Sequence, residues 1–305
     1  MVEASVTEKT VRSQALLGHA AMFLFAALIA GAFSTGKRAA PFIDAGALTA
    51  ARFGLAFIVV GVALLVFGIR PKRGDLSAPW RYLVLGGLMG GYFVFMFEAL
   101  KTAAPVSTSA MFTLIPLMSA GFGWLLMRQR TTPVAMLALL IGAVGAVWVI
   151  FRADLSAVLG FRLGYGERIF FIGCACHALY TPMVRKLNRG EPVPVFTILT
   201  IVGAAIVVGL YAIRPLAETE WSTLPSAVWI ALVYLAVFTT GITFALLQFA
   251  ALHLPSGKVM AYGYLTPSFV ALYEGLSGNG WPAPMVWVGV GLISVALLVL
   301  LLGKD

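Results

Sequence analysis

The chain has 305 residues, 61% of them hydrophobic and 11% charged, with a formal net charge of +9. A soluble globular domain carries roughly 25% charged residues. The low charge here, with a mean hydropathy of +0.97, excludes a soluble domain, a disordered chain and a secreted disulfide scaffold. The 2 cysteines make no disulfide framework or zinc cage. The basic residues sit in short clusters between apolar runs, as in cytoplasmic loops of membrane proteins, and not in a stripe suited to nucleic acid.

A bilayer core of about 30 Å takes about 20 apolar residues per helix. Ten such runs are predicted, over 17–36, 43–69, 80–100, 104–127, 132–151, 167–187, 193–213, 226–252, 256–277 and 283–303. The fold class expected is therefore an all-α polytopic membrane protein with ten transmembrane helices, leaving no room for a soluble catalytic domain. The first run follows a polar leader over 1–16 and leads straight into a second apolar run, so it is read as a span and not as a cleaved signal. Polar or Pro/Gly-rich breaks separate the runs, with longer ones at 152–166 and 214–225. This predicts a cytoplasmic leader over 1–16, a first unit over 17–151, a linker over 152–166 and a second unit over 167–303. Counting Lys and Arg with the N-terminus inside places 13 on inner segments and 7 on outer ones. That bias predicts both termini in the cytoplasm of a cell or inner membrane.

An internal repeat carries more information than any single run. Glu98-Ala99-Leu100-Lys101 is followed by Leu114-Ile115-Pro116 and, 17 residues on, by Pro133. Ala250-Ala251-Leu252-His253 is followed by Leu265-Thr266-Pro267 and, again 17 residues on, by Pro284. The offset is 151 at both prolines, half the chain, which points to duplication of a five-helix unit. Five is odd, so the second copy enters the membrane upside down, an arrangement common in secondary transporters that bind substrate between the repeats. Pro116 and Pro267 fall inside their runs, where a missing N–H kinks a helix. They are read either as packing kinks or as functional bends.

With Gly31 to Lys37 ending the first run, Arg52-Phe53 in the second, Ala99-Leu100-Lys101, Leu114-Ile115-Pro116, Pro133 with Gly142 and Gly145, and the second-half matches Ala251-Leu252, Leu265-Thr266-Pro267, Pro284, Gly289 and Gly291, the chain resembles the EamA family of the drug/metabolite transporter superfamily. The resemblance covers roughly 17–303. It implies ten helices, termini inside, and export or exchange of a small metabolite, often an amino acid or related compound. One departure stands out: family repeats often carry a Gly-Glu pair where this chain has Arg128-Gln129 and Asn279-Gly280. No role tied to that acidic residue carries over.

An ionisable group inside a span is a functional hypothesis by default. Four are candidates for substrate or proton binding. Arg52 is read against a structural clamp between helices. Glu98 is read against a local pair with Lys101, three residues on. His177 is read against a hydrogen-bonded packing histidine. Glu274 has no basic neighbour in its own run. Cavity-lining candidates are Tyr92, Met111, Thr113, Tyr180, Gln248, Tyr262, Tyr264 and Thr266, since a mainly apolar pocket with a few polar groups suits an amphipathic metabolite. Gly86, Gly87, Gly90 and Gly91 make a close-packing face on the third helix.

Two patterns are set aside. Gly275-Leu276-Ser277-Gly278 fits the short motif of an intramembrane serine protease, but no base is placed to activate Ser277. Cys174 and Cys176, two apart, point away from each other on a helix and cannot share a metal. No G-x-x-x-x-G-K-[ST] pattern occurs, so ATP is not expected to drive the protein. The expectation is a non-enzymatic secondary transporter without cofactor or bound metal. Its partners would be a small-molecule substrate and the bilayer, with proton coupling open against facilitation. A lipid or nucleotide-conjugate translocator of the same fold is the alternative.

Overall fold

The computed structural model describes residues 2–129, 131–160, 163–254, 259 and 261–302, with backbone alone at 2–13, 15, 244, 245, 248, 251, 252 and 302. Its elements, among the described residues, are helical, with no strand. In the first half these are α1 (Val2–Ala39), α2 (Ala45–Val66), α3 (Trp80–Thr102), α4 (Pro105–Phe112), α5 (Ile115–Met127) and α6 (Pro133–Ile150). A short α7 (Leu155–Leu159) lies in the connection, and the second half opens with α8 (Tyr165–Leu187) and α9 (Val193–Tyr211). A short α10 (Ile213–Glu218) precedes α11 (Ser226–Val233), which runs through a π-helical segment (Tyr234–Ile242) into α12 (Thr243–His253). A 3-10 turn (Tyr262–Leu265) leads into α13 (Thr266–Leu276), and α14 is Val286–Leu302.

Local chemistry sets the boundaries. Asp44 caps α2 by accepting from the N–H groups of Gly46 at 2.8 Å and Ala47 at 3.1 Å. Pro133 at the first turn of α6 follows the Thr132 cap, which accepts from the Ala135 N–H. The polar leader is helical and continuous with the first apolar run. The expected fourth run is two helices: α4 ends at Phe112 and α5 begins at Ile115, with Pro116 in its first turn. Pro267 likewise lies in the first turn of α13, just after the 3-10 turn. Each proline lacks the N–H an unbroken helix would need, and the chain satisfies this by restarting the helix there.

Six helices among the described residues are long and apolar enough to cross a membrane: Leu16–Ala39, Ala45–Val66, Trp80–Thr102, Pro105–Met127, Pro133–Ile150 and Val193–Tyr211. Ser226–Ile242 and Val286–Leu301 are shorter apolar segments. Large apolar side chains such as Leu65, Leu125, Leu210 and Leu276 are exposed on the outside of the bundle, as a lipid-facing surface requires.

The halves interlock. α3 packs on α8 and α9, and α5 also packs on α8. α1 packs on α11, α12 and α13, and α2 packs on α9 and the π-helical segment. The self-related pairs are α2 with α9, α4 with α13 and α6 with α14. With the repeat as a guide, exchanging the halves converts these pairings into one another. Two crossings are close enough to require glycine. At α3–α9, a Cβ on Gly86 would overlap the Ala204 backbone, and one on Gly203 would overlap the Tyr82 carbonyl. At α6–α14, a Cβ on Gly145 or Gly289 would stand 2.7 Å from the other's carbonyl oxygen. Of the glycine face on α3, Gly90 meets Val208 and Gly87 meets Val207 on α9, whereas Gly91 meets Cys176 on α8.

On the face carrying residues 67–79 and 188–192, a buried ion pair ties the halves. Arg81 at the start of α3 donates to Glu191 at 2.7 Å, to the Leu187 carbonyl at 2.6 Å and to the Ser77 carbonyl at 2.8 Å. Its side chain is 1% exposed and that of Glu191 is 4% exposed. Burial works against the Glu191 charge, but hydrogen bonds from Arg81 and from the backbone N–H groups of Arg189 and Glu191 outweigh it, holding the carboxyl at about 2. The folded value lies below the ordinary 4.5, so this stabilisation is complete above about pH 4.5 and is lost as pH falls through about 2. Melting in detergent is therefore expected to drop across that window in the native protein and to stay flat across it in Glu191→Gln. At neutral pH Glu191→Gln, which leaves Arg81 buried without its carboxylate, should lose on the order of 3–5 kcal/mol. Parallel acid profiles for the two proteins would contradict this.

Candidate functional site

The apolar interior makes any charged group within it conspicuous. Arg52, seven residues into α2, is 1% exposed. Its Nε donates to Thr240 Oγ1 at 3.3 Å. Its Nη2 donates to Thr240 Oγ1 at 3.0 Å, to Thr239 Oγ1 at 3.3 Å and to the Thr239 carbonyl at 3.5 Å. Both threonines lie in the π-helical segment, and each hydroxyl donates back to the Leu235 carbonyl, at 2.8 and 2.9 Å. Their lone pairs are thereby turned to the arginine. A π-helical turn widens the spacing along a helix and so brings two adjacent hydroxyls to one cation; such turns recur at functional sites. The guanidinium carbon lies 3.6 Å from the centre of the Phe93 ring on α3, a cation–π contact.

All of these bonds use Nε and Nη2. Nη1 is buried and, among the described residues, has no hydrogen-bond partner. The ion pairs among the described residues are Arg81–Glu191 and Glu98–Lys101, so Arg52 has no carboxylate at ion-pair distance.

A run of rings leads from Arg52 across the half-to-half interface. Phe93 meets Tyr92 at 4.7 Å, and Tyr92 meets His177 of α8 at 4.8 Å. His177 is in turn 5.9 Å from Phe112 and 6.1 Å from Tyr180. His177 Nδ1 is buried without a partner. Met111 joins this cluster, its carbonyl accepting from the Cys174 thiol at 3.6 Å. Thr113 closes the end of α4 by donating to the Ala110 carbonyl at 2.6 Å.

The remaining sequence candidates lie elsewhere. Glu98 pairs with Lys101 at 2.6 Å, about one-third exposed, at the end of α3. Glu274, 8% exposed, accepts from Asn279 at 3.0 Å through Oε2, and its Oε1 is buried without a partner. Although no base lies on its own helix, Glu274 acts electrostatically on Lys37 at the end of α1, as does Glu167 on α8. Lys37 donates to the Ala103 carbonyl at 3.1 Å, and Glu167 accepts from Ser107 at 3.2 Å. Tyr262 shares a hydrogen bond with His19 at 2.9 Å. Tyr264 packs on Gly142 of α6, and its hydroxyl, like that of Thr266, is buried without a partner. Gln248 lies on α12, with its side chain outside the described residues. Ser277 lies in the exposed turn after α13 and, among the described residues, hydrogen-bonds to no imidazole. A surface pocket of about 430 Å³ beside the α5–α6 turn, lined by Trp124, Gln129 and Met136 among others, holds none of the sequence candidates.

Sequence reading did not find Thr239, Thr240, Phe93, Glu167 or the Arg81–Glu191 pair. The one trace of the first two is Thr239-Thr240-Gly241, three weak helix formers in the middle of an apolar run.

The described residues form a helical bundle in two interlocked halves, apolar on the outside and with polar groups buried where the halves meet, the architecture of an integral membrane protein. The EamA-like transporter family model matches the chain twice, over residues 16–151 and 164–302. The chain belongs to this family, part of the drug/metabolite transporter superfamily, and contains two of its repeats. It is 27% identical over 225 residues to an uncharacterized transporter, YyaM, of Bacillus subtilis (strain 168), an alignment covering 72% of each chain. A protein of known crystal structure, 25% identical, superposes with a TM-score of 0.66 over 94% of this chain and 96% of its own.

The clamp makes a checkable prediction. Thr239→Val with Thr240→Val removes the hydroxyl acceptors and leaves a buried guanidinium, at a cost on the order of 3 kcal/mol. Arg52→Met in that double variant should recover most of the loss, because the charge is gone. Detergent melting checks this; no rescue by Arg52→Met would contradict the clamp.

Proposed function

We propose that this chain is a secondary transporter that moves a small amphipathic metabolite across the cell or inner membrane by alternating access. In this reading ten spans form two inverted five-helix repeats, joined by the linker over 152–166. Both termini and the leader over 1–16 lie in the cytoplasm. The observation that carries the reading is the pairing of helices across the halves, each half's first helix packing into the other half, with the Arg52–Tyr92–His177 cluster buried where they meet. A site shared by two interlocked halves reaches one side or the other as the halves rock. The restarts at Pro116 and Pro267 are the places where α5 and α13 swing. The family's character supports outward carriage of an amino acid or related compound, and the buried charge at Arg52 narrows this reading to related carboxylates without an ammonium.

Proton coupling, where present, is assigned to Glu274, whose Oε1 is buried without a partner among the described residues and whose charge acts on Lys37. Glu98 and His177 are the lesser proton candidates.

Counterflow into preloaded proteoliposomes tests this, across amino acids, organic acids, polyamines, nucleosides and quaternary amines, with and without a pH gradient. Saturable uptake of one class is expected. If coupling is through Glu274, Glu274→Gln keeps exchange and loses gradient-driven uptake by about tenfold or more. No uptake of any class by a folded preparation would contradict the metabolite reading and favour the lipid or nucleotide-conjugate translocator.

A further inference from the structure

We propose that Arg52 is the subsite for the carboxylate of an amphipathic, net-anionic substrate. The inference rests on the reading of the chain as a carrier with its site between the halves, and it names the class of compound that site takes. The clamp explains one edge of the guanidinium and leaves the other unexplained. Nε and Nη2 hold the π-helical segment through Thr239 and Thr240, whereas the two N–H groups of Nη1 are buried and, among the described residues, donate to nothing. An arginine placed only to fasten two helices would find a carbonyl for that edge, as Arg81 does with Leu187 and Ser77. A guanidinium whose Nη1 keeps both N–H groups free in an apolar interior is suited to receive an oxyanion.

The surroundings select among oxyanions and among carboxylates. Arg52 is the cation of the cluster, and Lys37 and Arg81 are engaged at the two faces of the bundle. One guanidinium balances a carboxylate, whereas a phosphate dianion would leave negative charge buried against Phe93 and Tyr92. Among the described residues no carboxylate stands at ion-pair distance from Arg52, so none is placed beside it to receive an ammonium. A zwitterionic amino acid would therefore bury an unpaired charge. The rings of Phe93, Tyr92 and Phe112 suit an apolar body, and the vacant His177 Nδ1 suits a neutral polar group on it.

The test uses four matched probes on the purified full-length protein: phenylacetate, phenylacetamide, L-phenylalanine and phenyl phosphate. They share a ring and differ in charge. Thermal stabilisation in detergent is measured against concentration for each. Phenylacetate is expected to act at about tenfold or more lower concentration than the other three. Arg52→Gln should remove that preference, and Arg52→Lys, a cation without the fork, should reduce it. If Arg52→Gln fails to fold, the probe comparison in the native protein and in Arg52→Lys decides alone. Equal response to all four, preference for phenylalanine or phenyl phosphate, or no response to any overturns the proposal. Binding is read without transport, so the two readings fail separately. Phenylacetate binding with no counterflow would sink the carrier and keep the subsite, and counterflow indifferent to the carboxylate would do the reverse.

Discussion

A positive charge buried in an apolar interior must find its partners within the protein, and the structure is organised around how Arg52 does so. Lipid offers no hydrogen bonds, so unpartnered polar groups are costly at this depth. Arg52 is served without a carboxylate, by two threonine hydroxyls, a carbonyl and the face of Phe93. The acceptors come from the second half of the chain and the arginine from the first. The same bonds that satisfy the charge therefore hold the halves together and hold the π-helical segment open. A carboxylate partner would have neutralised the site permanently; hydroxyls leave the charge available.

The rest of the interface is arranged so that this contact survives between two bodies. Close crossings at Gly86 with Gly203, and at Gly145 with Gly289, bring backbones together where side chains would bar them. Such packing is specific in shape and carries no charge. Strong polar ties lie toward the two ends. Arg81 with Glu191 fastens one face, and Ser107 with Glu167 fastens the other. Tyr234 and Tyr273 additionally stitch α1 to the second half through the carbonyls of Leu28 and Ala27.

Helix positions were largely legible in the sequence because hydropathy reports what lies in an apolar slab. The run predicted over 80–100 and the helix Trp80–Thr102 nearly coincide, as do 132–151 and Pro133–Ile150. The repeat was legible because proline constrains the backbone wherever it stands, so Pro116 and Pro267 marked equivalent breaks. Hydropathy says nothing of hydrogen-bond register, and the π-helical segment therefore read as plain span within 226–252. Arg52 itself was visible, but its partners stand 187 and 188 residues away. Pairings across that distance follow from topology and not from spacing. Arg81 with Glu191, 110 residues apart, was hidden for the same reason, each passing for an ordinary loop charge. Glu167 was hidden differently: at the start of a helix an acidic residue needs no explanation.

Access to the buried cluster from each side in turn is the central claim. The direct measurement replaces Cys174 and Cys176, places a cysteine at Thr240, and follows its reaction with a membrane-impermeant maleimide added to either side of sealed proteoliposomes. Reaction is predicted from both sides. Joining Arg81→Cys to Glu191→Cys by a disulfide should abolish it from the face those residues occupy and preserve it from the other. Unchanged reaction from both sides after the crosslink, or reaction from neither side before it, would contradict alternating access at this site.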